Sequence, residues 1–354
     1  MRKSVKKLAF GLVIPSLLIL GGCGTSNSAD SSNNEAVLAA ADSGIQQRTI
    51  KAGIVLTEEH STGKGLKKFA ELVEQKSGGL MKVQGYTSGM LGDEKKMIEA
   101  AQAGMQELAI TTTPPLLGNI KEFGVFDLPF VFANETEGAA VMDSPVGQKL
   151  LDKLPDQGLV GLAYWENGMR SLTNSKHPVA SVQDFQDLKI RTQQNEIHLD
   201  AFRALGSNPT PMPYTEVFSA MESKTIDGAE NALPVFETDK YNEAQEYLSL
   251  TEHLYSPFIV LVSKKFWDQL SPEEQKIMEE AAVESRDFQR ETNRADVAKA
   301  LKNLEALGMK VNEISLEERQ KMQETVKPVI DKYAKSLGEE LVKELYAEVN
   351  KVRK

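Results

Sequence analysis

Cysteine is nearly absent from this 354-residue chain. Cys23 is the only one, so no intrachain disulfide can form. The four histidines, His60, His177, His198 and His253, are scattered and never take a His-x-x-x-His spacing, so no metal centre is expected. Gly-x-Ser-x-Gly, Gly-x-x-x-x-Gly-Lys-Ser/Thr and Gly-x-Gly-x-x-Gly are all missing. Their absence removes the serine-hydrolase elbow, the phosphate-cradling loop and the dinucleotide fingerprint. No catalytic residue and no cofactor is therefore expected. The 51 acidic residues still leave room for the paired carboxylates of an extracytoplasmic carbohydrate-acid lyase or glycosidase, which stands as an alternative. Positive charge is in deficit, with 41 basic residues giving a net of −10. That balance argues against nucleic acid and against a basic patch for anionic lipid. Past the N-terminal region, no apolar run is long enough to span a bilayer.

What is present begins with a leader. Arg2, Lys3, Lys6 and Lys7 precede an apolar run from Leu8 to Leu20, the pattern of an export signal over 1–22. Leu20-Gly21-Gly22-Cys23 resembles a bacterial lipobox, in which Cys23 receives lipid and becomes the mature N-terminus. Residues 23–46 open with a polar Gly/Ser/Asn/Asp run that cannot bury enough apolar surface to fold and suits a flexible tether. Removing the leader takes away four basic residues and no acid, 41 − 4 = 37 against 51, a net of −14. An anionic ligand would then have to be held by local arginines against the overall field.

The remaining chain exceeds one domain core, so two lobes are expected. Arg48 to Leu56 reads as a strand, followed by a helix to Lys76 with Leu66, Phe69, Ala70 and Val73 on one face, and by a strand from Met81 to Tyr86. Glu94 opens the next helix, where a carboxylate complements the helix dipole. Leu159 to Trp165 reads as a buried strand, ending in a polar turn at Glu166–Arg170 and climbing into a second strand at Ser171–Thr173. Phe258 to Val262 is a fully apolar strand. Ser271-Pro272-Glu273-Glu274 is a helix start with a capping box. No proline or glycine follows until Gly308, which predicts a helix of roughly 50 Å. Its apolar positions hold no strict heptad, so it is expected to bridge the lobes rather than form a coiled coil. Two further helices close the chain, the first capped by Ser315 and Glu318.

The stretch from Leu188 to Pro234 organises the rest. Lys189-Ile190-Arg191 reads as a strand with an arginine near its carboxyl end, Asn208 to Pro213 must be extended because of its prolines, and Ala229-Glu230-Asn231 re-enters a strand. Strand ends of open α/β sheets face the ligand crevice. These segments, with Ala204-Leu205-Gly206-Ser207-Asn208-Pro209 and Ile226-Asp227-Gly228, resemble the signature blocks of the DctP-type solute receptors of tripartite ATP-independent periplasmic (TRAP) transporters. The resemblance implies an α/β, two-lobed periplasmic-binding-protein-like fold with hinge strands and a long helix bridging both lobes. Lobe I is expected over 47–167 plus 257–296, and lobe II over 168–256 plus 297–354.

The resemblance also implies a site. Arg191 would hold a ligand carboxylate with a planar fork, Asn231 would donate from its amide, and Arg170 would offer a second fork. Tyr214 would stack on the ligand with its hydroxyl free, and Glu94 would meet ligand hydroxyls. The segments 165–173 and 247–265 look most like the sugar-acid branch, so a hexuronate-like acid is the first expectation and a C4-dicarboxylate the second. Thr112 and Pro115 stand where some sialic-acid receptors carry charge, which argues against a nine-carbon sugar. A receptor for an ATP-driven importer is a further alternative. The implied protein is an exported, lipid-anchored monomer, at the outer face of the cell membrane or in the periplasm, that touches the membrane only through its anchor. Its partners are a small organic acid and the TRAP permease subunits, and it does no catalysis.

Overall fold

The structure, a computed structural model, describes residues 44–353. The expected leader, Cys23 and the tether up to residue 43 lie outside the described residues. Among the described residues no helix is long and apolar enough to cross a membrane.

Nine strands form one sheet: β1 Arg48–Gly53, β2 Met81–Tyr86, β3 Leu108–Thr112, β4 Leu159–Asn174, β5 Lys189–Thr192, β6 Asn208–Pro211, β7 Gly228–Ala232, β8 Tyr247–Ser263 and β9 Lys310–Glu313. The order is β2-β1-β3-β8-β4-β7-β5-β6, with β9 on β8. β4 and β8 are 16 and 17 residues long and pair antiparallel along nearly their whole length. One end of this ribbon takes β3, through Leu108–Thr112 against Phe258–Val262. The other takes β7, through Gly228–Ala232 against Arg170–Asn174. The ribbon thereby joins the two halves of a two-lobed molecule. β6, rich in proline, sits at a sheet edge, where missing N–H donors are tolerated.

The expected turn at Glu166–Arg170 is instead part of one continuous strand. The register against β8 slips between Glu166 and Gly168, a bulge that bends the strand without unpairing it. Gly168 supplies the φ of +113° that the bend requires.

The long helix runs Pro272–Ala306, 35 residues, about 52 Å at 1.5 Å per residue. Ser271 Oγ accepts from the Glu274 N–H at 3.2 Å, and the Glu274 carboxylate accepts from the Ser271 N–H at 2.7 Å. The same carboxylate receives the Arg48 guanidinium at 2.7 Å, which fixes the helix start to β1. Ile277, Met278, Ala281 and Ala282 pack into the core around β1, β3 and the Ser61–Lys76 helix. Leu304, near the other end, packs with Met212, Val217, Met221 and Phe236 in the opposite half. The helix spans both lobes.

The two terminal helices divide. Met322 and Val326 of Leu316–Leu337 share a core with Leu172, Phe185 and Ile190. In contrast, Leu341, Leu345 and Val349 of Glu339–Val352 pack with Phe123, Val141 and Leu150. This corrects the expectation that everything after 297 sides with the second lobe. The last helix buries its apolar face against Glu135–Met142 and Pro145–Leu151, which precede β4.

β7 passes so close to β4 that a Cβ on Gly228 would lie 2.0 Å from the Thr173 carbonyl oxygen. Backbone cannot yield to that collision as a flexible side chain could. Gly228→Ala is expected to destabilise by about 2 kcal/mol or more, since overpacking a tight site costs 1–3 and sometimes exceeds it. Urea unfolding of the variant beside the parent checks this; equal midpoints would contradict it.

Candidate ligand-binding site

Arg191 and Asn231 lie near the carboxyl ends of β5 and β7, which run parallel with Arg191 beside Ala229. Arg170 enters on β4, opposite Ala232. The three side chains line one cavity together with Glu94, Thr112, Asn167, Gln193 and Tyr214, against an apolar wall that includes Val55, Val235 and Phe258. The free space is about 20 Å³, little more than one water needs. All five side chains expected at the site are therefore in its walls, and their bonding distinguishes them.

Arg191 is 3% exposed. Its Nε and Nη2 donate to the Met212 carbonyl at 3.1 and 2.8 Å, a carbonyl presented by the extended Pro209–Pro213 segment. The Tyr214 ring lies 6.0 Å from the guanidinium carbon, within cation–π range. Among the described residues no carboxylate forms an ion pair with Arg191, and Nη1 has no protein partner. Burial pulls its pKa below the ordinary arginine value.

Arg170, by contrast, is already paired. Its Nε and Nη2 donate to the Glu230 carboxylate at 2.5 and 2.8 Å, Nη2 also to the Glu230 carbonyl at 2.7 Å, and Nη1 to Asn231 Oδ1 at 2.9 Å. The second fork expected from the sequence is thus committed within the protein. Burial alone would raise the Glu230 carboxyl, but the Arg170 charge and the bonds from His253 and Arg170 hold it well below the usual range.

Asn231 Oδ1 also accepts from Asn167 Nδ2 at 3.0 Å and from the Ala232 N–H at 2.9 Å. That saturates the oxygen and leaves Nδ2 as the group with bonding capacity to spare. Asn167 Oδ1 and Gln193 Oε1 are buried acceptors without a partner. Gln193 Nε2 donates to Thr112 Oγ1 at 2.9 Å, and Thr112 in turn donates to Glu94 from its N–H at 2.6 Å and its hydroxyl at 2.9 Å. Gln193–Thr112–Glu94 therefore links the two walls of the cleft. Burial raises the Glu94 pKa, with the Thr112 bonds and the charges of Arg191 and Arg170 opposing.

Tyr214 departs from expectation. Its hydroxyl donates to the Asp239 carboxylate and is not free for a ligand. Pro115 lies in an adjoining crevice that shares Glu94, Arg191, Gln193 and Tyr214 with the cavity. Glu230, Asn167 and Gln193 were not anticipated as wall or partner residues. A signal existed for Gln193, which stands two residues from Arg191 and so projects from the same face of the extended chain. None existed for Asn167, because the bulge shifts its face, nor for the pairing of Glu230 with a strand-neighbour arginine. Among the described residues no cluster of three His, Cys, Asp or Glu is placed to hold a metal.

The DctP family model, described as bacterial extracellular solute-binding protein, family 7, matches residues 52–336. A sugar acid binding protein of Advenella mimigardefordensis, solved in complex with galactonate, is 43% identical, with a TM-score of 0.86 over 87% of this chain and 100% of its own. The 2,3-diketo-L-gulonate-binding periplasmic protein of Escherichia coli is 33% identical over 76% of this chain and 82% of its own. The C4-dicarboxylate-binding periplasmic protein of Rhodobacter capsulatus is 32% identical over 83% and 88% respectively.

The raised pKa of Glu94 carries a consequence for stability. A carboxyl whose folded pKa lies above its unfolded value contributes stability below the ordinary 4.5, and that contribution is lost as pH rises through the folded pKa. Glu94→Gln removes the buried charge. Without ligand, the variant is expected to melt higher than the parent wherever Glu94 is ionised, with the gap closing as pH falls through the raised pKa. Calorimetric scans from about pH 4 to about pH 8 test it; a gap that widens on acidification would contradict it.

Proposed function

The chain belongs to the DctP family of bacterial extracellular solute-binding proteins, the solute receptors of TRAP transporters, and on that premise we propose that it captures a sugar acid through a single-carboxylate clamp at Arg191. The observation that carries this is the contrast between two buried arginines. Arg170 is neutralised by Glu230, whereas Arg191 faces the cavity without a counter-ion. A ligand carboxylate supplies the missing charge, through a bond from Nη1 and the remaining Nη2 hydrogen, with Asn231 Nδ2 as an additional donor. No lysine could present that planar edge.

The rest of the wall favours hydroxyls over a second carboxylate. Asn167 Oδ1 and Gln193 Oε1 are acceptors that ask for a donor from the ligand, and the Glu94 carboxylate, already bonded to Thr112, is a further acceptor in the wall. A C4-dicarboxylate would bring its second charge against these lone pairs, with no free cation among the described residues of the wall to meet it. Phe258 and Val235 offer apolar contact to the carbon backbone of a sugar acid. Relatives solved with galactonate, D-glucuronate and beta-D-galacturonate support the same class. The reading is of a monomeric, non-catalytic receptor whose lobes close on the ligand and which hands it to the TRAP membrane subunits. Closure excludes water and strengthens each polar contact.

Titration calorimetry tests the clamp. Removing one partner of a buried ion pair costs about 3–5 kcal/mol, which corresponds to roughly a hundred- to several-thousand-fold in Kd. Arg191→Ala is expected to lose galactonate to that degree and Arg191→Lys to recover part. Succinate should bind more weakly than galactonate, and neutral galactose hardly at all. Unchanged affinity in Arg191→Ala, or galactose bound as tightly as galactonate, would sink the clamp.

The anchor is tested separately. With Cys23 acylated, the protein fractionates with membrane, and Cys23→Ser is expected to move it into the soluble envelope fraction or the medium. One acyl chain holds a protein only marginally, so two or more are expected on the mature terminus. Identical fractionation of parent and variant would remove the lipoprotein reading.

A further inference from the structure

Halfway along the long helix, a fully buried side chain, Gln289, turns toward β4. Its Oε1 accepts from the Glu166 N–H at 2.8 Å, and its Nε2 donates to the Glu166 carbonyl at 2.6 Å. One carboxamide thus satisfies both backbone groups of one residue, as a neighbouring strand would. The reason lies on the side of β4 away from β8. β7 pairs with β4 only from Arg170 onward, so no strand faces Glu166 there, and the slip between Glu166 and Gly168 leaves Asn167 without a strand partner on β8. A buried peptide group with no partner costs as much as a lost hydrogen bond or more, so the site needs a substitute.

The neighbouring turn of the helix completes the arrangement. Asn293, also fully buried, donates from Nδ2 to the Asn167 carbonyl at 3.2 Å. Ser61 Oγ ties the two helix residues together, accepting from Gln289 Nε2 at 3.0 Å and donating to Asn293 Oδ1 at 2.8 Å. The Ser61–Lys76 helix approaches this closely because Gly65 has no side chain; a Cβ there would meet Trp165 at 2.7 Å and Gln289 at 2.9 Å. The main chain at Glu166 and Asn167 is therefore tied to the long helix on the side that the sheet leaves open.

We infer that Gln289 is a positioning residue for ligand affinity, acting through Asn167. By fixing Glu166 it sets the direction of the Asn167 side chain, whose Nδ2 orients Asn231 and whose Oδ1 faces the cavity. The long helix thereby reaches the binding site without touching the ligand. The inference rests on the proposed role of the cavity and extends it to a residue outside its walls.

A double-mutant cycle with D-galactonate as the probe decides it. Gln289→Met keeps the volume and removes both bonds; Asn167→Ala removes the side chain on which Gln289 acts. Each single variant is expected to loosen galactonate about tenfold or more. The double variant should be no looser than the weaker-binding single, because the two changes interrupt one path. Additive losses, or a Gln289→Met protein that binds as the parent does, would overturn the inference, since a merely structural glutamine would lower the melting temperature without coupling to Asn167. Gln289→Glu, which keeps the bond from the Glu166 N–H, takes its place in the cycle where the methionine variant does not fold. Hydrogen exchange on the ligand-free protein gives an independent arm. Gln289→Met should speed exchange at the Glu166 amide while leaving Leu172 on the same strand unchanged, and an unaltered Glu166 rate would also overturn the inference. Failure of galactonate to bind the parent would count against the proposed ligand class alone, with the exchange arm still deciding whether Gln289 fixes Glu166.

Discussion

The antiparallel pairing of β4 with β8 is the constraint on which everything else rests. Because one ribbon serves both halves of the sheet, the residues at its middle belong to neither half and lie where the two walls meet. Asn167 and Arg170 are such residues on β4. β3 and β7 attach at opposite ends of the ribbon, and each brings its own wall of the cleft: Thr112 with its bonded partner Glu94 on one side, Asn231 on the other. A ligand site between lobes is then a geometric result of two long strands that change partners along their length.

Electrostatics make this crevice selective. Two guanidiniums buried in one cavity would repel each other and demand two anions. Glu230 removes that demand from Arg170, at the cost of burying a carboxylate whose ionised form only the Arg170 and His253 contacts keep favourable. The remaining unpaired cation, Arg191, is fixed by a carbonyl and an aromatic ring, neither of which cancels its charge. Its field is thus directed at the cavity rather than at a neighbour, in a chain whose overall charge is negative.

Much of the architecture was legible in the residues, for reasons that are local. Ser271-Pro272-Glu273-Glu274 carries a capping box, a proline and two first-turn acids, so the start of the long helix needed no tertiary information. Arg191 and Asn231 were placed by strand ends and by resemblance to a family. The misreadings share a different origin. The polar run Glu166–Arg170 has turn composition, yet a partner strand more than eighty residues away keeps it extended. The Tyr214 hydroxyl was expected to be free because its acceptor, Asp239, comes from a helix end that sequence distance conceals. Glu230 was passed over beside Asn231, since nothing in a linear pattern shows which arginine a buried acid will meet. Long-range pairing, not propensity, decided each of these.

The division of the two C-terminal helices has an entropic consequence. The chain passes between the halves by β4, by β8 and by the long helix, and it passes once more along Leu316–Leu337, whose Met322 and Val326 pack in one core and whose Leu337 packs with the last helix in another. Each covalent crossing removes relative orientations that two lobes on a simple tether would sample. The ensemble before capture is correspondingly narrow, and little disorder remains to be given up when the walls meet around a ligand. Under the proposed clamp, a larger share of the contact energy at Arg191 would then appear as affinity instead of being consumed in ordering the protein.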